Sequence, residues 1–472
     1  MTAPATSPRR WADLPAVARQ LPPAPRAEQW LTQLLARNRH CAYLRQFGSP
    51  ATVEEFRQRV PIRHHDDLAD WIDRCMRPGA RDVLFAGAPV GCERTGGSTR
   101  GPKLIPYSAE GLRDFQRALL PWLAGVVQRF QITGSAYLAT SPATRAPEMV
   151  GDLPLGLPDG AYLGPEAGAI VHDHLAVPLT VNQFTDVPAW RAQTLAHLRA
   201  AHDLELISVW SPTFFLALLR DIPDAAERWP RLKVISCWAS GASAPYAAEL
   251  AHRLPRTHLQ PKGLLSTEGV LTVPDANDAP VLTRHGFAEF AQADQLYLAD
   301  ELRAGEYYDV ILTSASGLYR YAAGDRVRCT GRTLAGDAVL EFVGRAHLVS
   351  DLVGEKLTEP FVARCLSGLK GFTMLIADAE APGYVLVSEH TPDPAALATV
   401  QARLADNPQY AYACRIGQLK PLRACARPDA WARYEQTLLA RGTRLADVKP
   451  VALRTEPFWL HVFDASAEAV TP

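Results

Sequence analysis

Apolar and polar positions change their spacing along the chain, and the first change separates a helical amino-terminal stretch from the remainder of the sequence. Residues 28–78 carry apolar residues at helical spacing, interrupted at Pro61 and ended near Gly79. This pattern predicts several short amphipathic helices, because proline removes a backbone donor and glycine favours a helix end.

The next stretch predicts two extended segments and a long helix. An apolar run over Val83–Val90 predicts a strand, and Leu104–Tyr107 predicts a second, shorter one. Ser108 follows directly, and its hydroxyl is suited to accept a hydrogen bond from the first turn of a helix. We expect that helix to run to about Val127.

Strand-like and helix-like runs alternate between residues 136 and 260, which is typical of a layered α/β domain. The predicted strands are Ala136–Thr140, Leu204–Trp210, Lys233–Trp238 and His258–Gln260, and the predicted helices are Pro212–Asp221 and Pro245–Leu254.

Beyond Tyr307 the pattern changes to closely spaced strands, and beyond Arg345 it returns to α/β alternation. The predicted strands are Asp309–Thr313, Arg326–Thr330, Leu340–Gly344, Thr373–Asp378 and Tyr384–Ser388, with helices at Glu359–Leu369, Pro394–Ala405 and Asp429–Arg441. We place a boundary at 345–350 and predict an α/β fold of two domains. Residues 1–347 form a large layered domain with a β-subdomain, and residues 348–472 form a small α+β domain of ordinary size.

Composition excludes several classes of protein. Hydrophobic residues make up 47% and charged residues 21% of the 472 positions, and the net charge is −1. This balance gives no electrostatic reason to bind nucleic acid or an anionic membrane. The longest strongly apolar stretch, Leu119–Val127, is about half of the ~20 residues that cross a bilayer. The eight cysteines lack C-x-x-C spacing, which favours reduced, buried thiols in a cytoplasmic protein.

Lysine is rare in this chain: seven of the 49 basic residues are lysine and 42 are arginine. A lysine that is retained against this background is therefore more often one whose compact ammonium is needed. A random surface position remains the alternative for about half of them.

The segment Thr95–Lys103 has the components of a phosphate loop. Its small residues let backbone amides approach an anion, and two hydroxyls and one lysine complete the set. It differs from the pattern G-x-x-x-x-G-K-[ST], because Pro102 separates Gly101 from Lys103 and no hydroxyl residue follows. A glycine-rich turn without a ligand is the alternative interpretation.

Three further segments supply groups that suit a nucleotide. Thr267 could donate to a phosphate, and Glu268 beside it could hold Mg²⁺. Asp325 ends a Gly-Asp pair, and a carboxylate is a common acceptor for ribose hydroxyls. The small residues of Ser240–Ser243 could form a wall against a flat base. Each could be an ordinary turn, but their combination favours an ATP site.

The order of these motifs resembles a known family. Arg94–Tyr107, Ser266–Gly269, Leu318–Asp325 and Phe342–Arg345 together resemble the auxin-responsive acyl acid amido synthetases of the adenylate-forming enzyme superfamily. The resemblance extends over about residues 50–455. The chain departs from the family at Gly96, where serine is usual, at Arg100, where a small residue is common, at Leu264, where tyrosine is usual, and at His65, also in place of tyrosine.

The resemblance implies an enzyme that uses ATP and Mg²⁺ to convert a carboxylic acid into its acyl-AMP and then passes the acyl group to an amino acid or other amine. It also implies a mobile C-terminal lid domain that hinges near Arg345. The implied ATP-binding residues are Gly96, Gly97, Ser98, Thr99, Lys103, Ser240, Gly241, Ala242, Thr267, Glu268, Asp325 and Arg345.

Two lysines carry the chemistry that the resemblance implies. Lys103, with Ser98 and Thr99, would grip the β- and γ-phosphates. Lys449, carried by the lid domain, would reach the α-phosphate and the substrate carboxylate. A solvated lysine at the start of a strand is the alternative for Lys449.

The acid pocket is indicated by residue type alone. We expect apolar residues of two predicted helices and the turn before one of them to line it, although core packing is at least as good an interpretation for each: Phe115, Leu119, Trp122, Trp210 and Phe214.

Two other functions remain open. An acyl-CoA ligase would share the first half-reaction and use a thiol in place of the amine. A nucleotide-binding protein without turnover is a third interpretation, against which the intact set of Lys103, Glu268, Asp325 and Lys449 argues. The expected partners are small-molecule acid and amine substrates, with neither nucleic acid nor membrane.

Overall fold

The structure is a computed structural model that describes residues 9–94, 103–138, 148–157, 159–345, 348–443 and 445–465. The amino-terminal part is helical, as the sequence predicts. Its helices are Trp11–Asp13, Leu14–Arg19, Ala27–Asn38, Ala42–Arg45, Val53–Arg59 and His65–Cys75. They pack beside a four-stranded sheet with the order Leu104–Tyr107, Gly91–Arg94, Leu153–Leu155 and Glu148–Val150.

The strand predicted over Val83–Val90 is wrong. The segment bends, and the strand begins only at Gly91. Asp82 and Gly87 both have positive φ, at +53° and +88°. The Gly87 amide donates to Asp82 Oδ1 at 2.7 Å, so the chain turns where the apolar run suggested extension.

A four-stranded parallel sheet forms the centre of the large body. Its strands, in order, are Ser135–Leu138, Leu204–Ser208, Val234–Cys237 and His258–Pro261. Alternate residues of one strand enter different cores: Leu206 lies on one face and Ile207 on the other. Burial on both faces explains why these strands appear in the sequence as continuous apolar runs. Strands and helices alternate along this part of the chain, as the sequence predicts. The helices of this region are Ala109–Phe130, Pro165–His172, Val187–Ala200, Pro212–Leu219, Ala225–Arg228 and Ala244–Arg253, with short 3-10 turns at Asp159–Tyr162, Leu179–Gln183 and Gly241–Ser243.

The helix Ala109–Phe130 begins as predicted. Ser108 Oγ accepts from the Gly111 amide at 2.8 Å, and the helix ends at Gln131 in the left-handed conformation. Leu123 and Val127 pack against the parallel sheet, whereas Phe115 belongs to a separate cluster nearer the amino end of the helix. The helix therefore connects the sheet core to a second apolar cluster at its amino end.

A seven-stranded antiparallel sheet forms the β-subdomain. Its strands, in order, are Thr272–Pro274, Pro280–Leu282, Ala338–Arg345, Tyr321–Arg332, Tyr307–Thr313, Phe287–Gln292 and Gln295–Tyr297. The register places Asp325 opposite Arg345 on neighbouring strands. A short 3-10 turn at Ala299–Glu301 and a two-stranded hairpin, Leu265–Ser266 with Gly269–Val270, adjoin it.

The described residues from 348 onward form a unit that we call the C-terminal lobe. Its sheet has the order Arg423–Ala426, Gly383–Ser388, Thr373–Asp378 and Leu453–Arg454. A hairpin pairs Val349–Ser350 with Leu357–Thr358, the helices are Glu359–Leu366, Pro394–Leu404, Pro408–Arg415, Ala430–Ala440 and Phe458–Val462, and a 3-10 turn lies at Leu445–Asp447. The sheet has its own core on each face. The lobe contacts the large body, because the rings of Trp431 and Tyr246 lie 6.1 Å apart.

The eight cysteines are free thiols and seven of them are buried, which confirms the expectation for them. In the described part of the chain, no helix is both long and apolar enough to cross a bilayer.

Candidate active site

A cavity of about 290 Å³ opens at the carboxyl ends of the parallel strands. Ser208 is the last residue of its strand, and Trp238 and Lys262 directly follow theirs. Loops at this edge of a parallel sheet commonly hold ligands, because neighbouring strands end there together. The helix Ala109–Phe130, the hairpin after Lys262, the β-subdomain and the C-terminal lobe supply the other walls.

Asp325, which is buried, forms an ion pair with the partly exposed Arg345 beside the cavity. Arg345 Nε lies 3.1 Å from Asp325 Oδ1, and Arg345 also lines the cavity. Burial, followed by the charge of Glu268, raises the pKa of Asp325, while Arg345 and Lys449 oppose this shift. Among the described residues no group hydrogen-bonds to Asp325 Oδ1. A buried carboxylate oxygen with an unfilled acceptor position suits a ligand hydroxyl.

Lys449 enters the cavity from the C-terminal lobe. Its Nζ lies 4.1 Å from the centre of the Trp238 ring, and Lys449 is one of the residues that line the cavity. Burial and the charge of Arg345 lower the pKa of Lys449, whereas Asp325, Asp447 and Glu268 act to raise it. The lobe thus brings a cation to residues that lie more than 100 positions earlier in the chain.

The hairpin around Glu268 is held in place by neighbouring tyrosines. Tyr107 donates its hydroxyl to the Thr267 carbonyl at 2.7 Å, and Thr267 Oγ1 donates to Glu268 Oε2 at 3.0 Å. Burial and the nearby Glu268 charge raise the pKa of Tyr321, so its hydroxyl stays protonated. Glu268 is therefore the carboxylate that this hairpin presents to the cavity.

A second carboxylate, Glu93, is fixed in the wall. It is 4% exposed and accepts from the Leu157 amide at 2.6 Å and from the Tyr162 hydroxyl at 2.9 Å. Burial raises the pKa of Tyr162, followed by the charges of Tyr107 and Glu93. These bonds fix the strand Gly91–Arg94 against the cavity wall.

Of the fourteen expected site residues that the structure describes, nine line this cavity. Those that line it are Lys103, Phe115, Leu119, Trp122, Trp210, Thr267, Glu268, Arg345 and Lys449. The loop residues Gly96, Gly97, Ser98 and Thr99 lie outside the described residues.

Three expectations are not met by the cavity walls. Asp325 lies beside the cavity as the partner of Arg345 and is not among the described residues that line it. Phe214 lies in the core between the helices and the parallel sheet, is 3% exposed and packs 5.8 Å from the Trp190 ring. The segment Ser240, Gly241 and Ala242 is not among the described residues that line the cavity. A Cβ on Gly241 would lie 3.5 Å from the Phe342 ring, which places this turn against the β-subdomain.

Sequence reasoning missed Lys262, Trp238 and Ser208 as cavity residues. For Lys262 a signal existed, because it is one of seven lysines in an arginine-rich chain and it follows a predicted strand at its carboxyl end.

Comparisons with known families match two parts of the chain. The descriptions "GH3 family N-terminal domain" and "GH3 family central domain" match residues 23–228 and 279–345. The jasmonoyl-L-amino acid synthetase JAR6 of Nicotiana attenuata is 24% identical over 412 residues, covering 70% of this chain and 71% of its own. The indole-3-acetic acid-amido synthetase GH3.15 of Arabidopsis thaliana is 22% identical over 457 residues, covering 76% of each.

Solved structures share the fold. The GH3.15 acyl acid amido synthetase in complex with 2,4-DB superimposes with a TM-score of 0.81 at 17% identity, covering 100% of this chain and 98% of that one. A 2-hydroxyisobutyryl-CoA ligase in the postadenylation state gives a TM-score of 0.60 at 12% identity, covering 93% and 90%. The predicted mixed α/β fold is therefore confirmed, and these solved structures share it.

Proposed function

The chain belongs to the GH3 family, and on that premise we propose that it is an ATP-dependent acyl acid amido synthetase. In the first half-reaction a carboxylate oxygen attacks the α-phosphorus of ATP, which forms an acyl-AMP and releases pyrophosphate. In the second, the amine nitrogen attacks the acyl carbon, loses a proton and releases AMP. The convergence of Lys449 and Arg345 on one cavity, with Asp325 paired to Arg345 beside it, carries this proposal.

Charge neutralisation is the main task of the residues in the first step. A carboxylate and a triphosphate repel each other, so catalysis needs fixed cations and accurate positioning. Lys449 would neutralise charge near the α-phosphate, where its position over Trp238 keeps the ammonium at the cavity wall. Lys103, at the end of the phosphate loop, would grip the phosphates farther from the reacting carboxylate.

The nucleotide and its metal fit the remaining groups. The unfilled acceptor position on Asp325 Oδ1 suits a ribose hydroxyl. The described residues contain no cluster of three or more His, Cys, Asp or Glu side chains that could hold a metal alone. Mg²⁺ is commonly bound by one or two carboxylates together with substrate phosphates. We therefore assign Glu268 to hold Mg²⁺ with the phosphates of ATP, where the ion would offset phosphate charge.

We further propose that the C-terminal lobe moves between the half-reactions, with residues 345–350 as the hinge and 347/348 as the domain boundary. Lys449 inside the cavity suits adenylation, after which the lobe would withdraw it to admit the amine. The free thiols also suit the cytoplasmic setting that we propose for the enzyme.

Gly344→Ala should slow adenylation more than it slows amide formation from supplied acyl-AMP. Gly344 has φ +151°, and a Cβ there would lie 2.7 Å from Pro360 Cγ and inside contact distance of Glu359 Oε2 in the C-terminal lobe. The clash exists only while the lobe packs in this arrangement, and such overpacking costs roughly 1–3 kcal/mol. Single-turnover rates of the two half-reactions, measured separately, check the difference.

Gly331→Ala is the matched control for this substitution. Gly331 has φ +153° in the same strand pair, so the backbone strain is the same, and no described atom lies within 4 Å of its Cβ position. A lobe that never moves would make Gly344→Ala slow both half-reactions equally.

The proposed activity is tested by isotope exchange between pyrophosphate and ATP across a panel of carboxylic acids without amine. We expect exchange that depends on the acid, followed by amide formation, detected by mass spectrometry, when amino acids are added. Formation of a thioester from free CoA in place of an amide would identify the enzyme as an acyl-CoA ligase. ATP binding without exchange for any acid would instead favour a nucleotide-binding protein without turnover.

A further inference from the structure

Lys262 is a cation in the cavity wall that none of the roles proposed above uses. Its Nζ lies 5.1 Å from the ring centres of both Trp122 and Trp210, and it donates to Ser208 Oγ at 2.7 Å. None of the carboxylates in the described part of the chain pairs with it, in contrast to Lys233, which binds Glu205. Its ammonium thus has one hydrogen-bond acceptor among these residues and donors left over for a ligand.

An ammonium held in this way is costly to the folded protein, because desolvation disfavours the charged form. Burial lowers the pKa of Lys262 to about 8, so the cation persists at neutral pH. Cys237 is the other ionisable group that acts on it, and burial raises the pKa of that thiol to about 12. No protein anion among the described residues therefore offsets the Lys262 charge, and an anionic ligand would.

The walls between Lys262 and Lys449 are aromatic. Trp210 lies against Lys262, Trp238 lies under Lys449, and the two indole rings are 5.9 Å apart. Each of the two ammonium groups thus lies against a different member of a pair of neighbouring tryptophans. A ligand that satisfies both would carry one anionic group at each end of an apolar or aromatic spacer.

We propose that this enzyme selects acids that carry a second anionic group, a dicarboxylic acid being the simplest case. The carboxylate beside Lys449 would be activated, and the distal carboxylate would bind Lys262. This inference rests on the proposed function and adds the class of acid to it.

The second anion belongs to the acid and not to the acceptor amine. Lys449 occupies the cavity in the arrangement described here, which suits adenylation, when acid and ATP are bound and the amine is not yet needed. The acid, which must be bound for this step, is therefore the substrate that brings an anion to Lys262 in this arrangement. An amino-acid carboxylate is the other source of the same chemistry, and the experiment separates the two.

The test measures pyrophosphate exchange, without amine, for pairs of acids that share a spacer: terephthalate against benzoate, and hexanedioate against hexanoate. A hydrogen bond to a charged group predicts that the wild-type enzyme prefers the better-fitting diacid by roughly 10- to 100-fold in kcat/KM. Lys262→Met should abolish the preference, because kcat/KM should fall for the diacid and stay unchanged for the monoacid. Lys370→Met, an exposed lysine of the C-terminal lobe, should leave the preference unchanged. A preference for monoacids in the wild type, or equal loss of both acids in Lys262→Met, overturns the inference.

The pH dependence of the diacid preference tests the charge on Lys262, because a purely structural role of this lysine would not make the preference change with pH. The ammonium loses its proton as pH rises through about 8, so the ratio of diacid to monoacid kcat/KM should fall across that range. The pKa of Lys449 is also lowered, but both acids need this lysine. Its titration therefore changes kcat/KM for both acids and cancels in the ratio. A ratio that stays constant from about pH 7 to pH 10, well past that pKa, contradicts the assignment.

Two further outcomes are informative. One distinguishes the acid from the amino acid as the source of the anion, and the other distinguishes this inference from the proposed function. If Lys262→Met exchanges diacids normally but raises the KM for the amino acid, the cation binds the amine substrate and the inference is wrong. If the wild type activates no acid, the proposed function fails, and the inference is tested by binding alone. Terephthalate or hexanedioate should then raise the Tm of the wild type and not that of Lys262→Met, and no Tm shift in the wild type overturns it.

Discussion

Lys449→Ala should slow acyl-adenylate formation by about 10²–10³-fold and leave ATP binding nearly unchanged, since removing a donor aimed at developing charge has that effect. Lys449 lies over Trp238 with Arg345, Asp325 and Glu268 close enough to influence its pKa, so it is placed where the negative charge of both substrates would meet. An interaction made mainly in the transition state lowers kcat and kcat/KM together. Rapid-quench measurement of acyl-AMP, beside equilibrium binding of ATP, checks both parts.

The second half-reaction supplies the internal control. Given preformed acyl-AMP, the Lys449→Ala enzyme should form amide at a near-normal rate, because the proposed movement of the lobe removes this lysine before the amine attacks. Lys420→Ala, which changes an exposed lysine of the same lobe, should affect neither step. Normal adenylation by Lys449→Ala, or an equal loss on preformed acyl-AMP, contradicts the role given to this residue.

Asp325→Ala should weaken ATP binding by roughly 1.5–3 kcal/mol, the value of a hydrogen bond to a charged group, which is about 10- to 150-fold in Kd. Asp325 is 5% exposed, and its Oδ1 lies 3.1 Å from Arg345 Nε. The substitution removes the acceptor proposed for the ribose and leaves Arg345 without its partner. Calorimetric titration with ATP measures the loss.

Asp309→Ala separates nucleotide binding from the stability of the sheet. Asp309 Oδ1 lies 3.4 Å from Arg326 Nε in the same antiparallel sheet, and Asp309 is not among the described residues of the cavity. Both variants lose one partner of an ion pair, but the Asp309 side chain is far more exposed than that of Asp325, so Asp309→Ala should cost less stability and leave ATP affinity unchanged. Unchanged ATP affinity in a folded Asp325→Ala enzyme removes this residue from the proposed site.

The sequence predicted the architecture wherever local rules suffice. Continuous apolar runs marked the buried parallel strands, because a strand covered on both faces has no polar side to display. The Ser108 cap determined the start of the long helix, since one side chain and one amide within three residues decide it. The run Val83–Val90 failed as a strand because Asp82 and Gly87 turn the backbone, and apolarity alone does not report this.

The candidate site shows the same difference between what local sequence patterns predict and what they do not. Lys103, Glu268, Arg345 and Asp325 were predicted to share a site because each lies in a short segment with its own chemical pattern. The first three line the cavity, and Asp325 pairs with Arg345 beside it. Phe214 was chosen for the acid pocket on residue type, but the helix Pro212–Leu219 is apolar on nearly every side and gives no sign of which face meets a cavity. Residue type is the same for a core position and a pocket wall.

Only the tertiary structure decided which distant residues share the cavity. Trp122 and Lys262 are 140 positions apart in the chain, yet the helix and the parallel strand bring the ammonium to 5.1 Å from the ring. Lys449 reaches the same space only because the C-terminal lobe packs on the large body. Hydrophobic period and capping act over a few residues, whereas these contacts depend on how whole layers pack, and that packing is set by contacts distant in sequence.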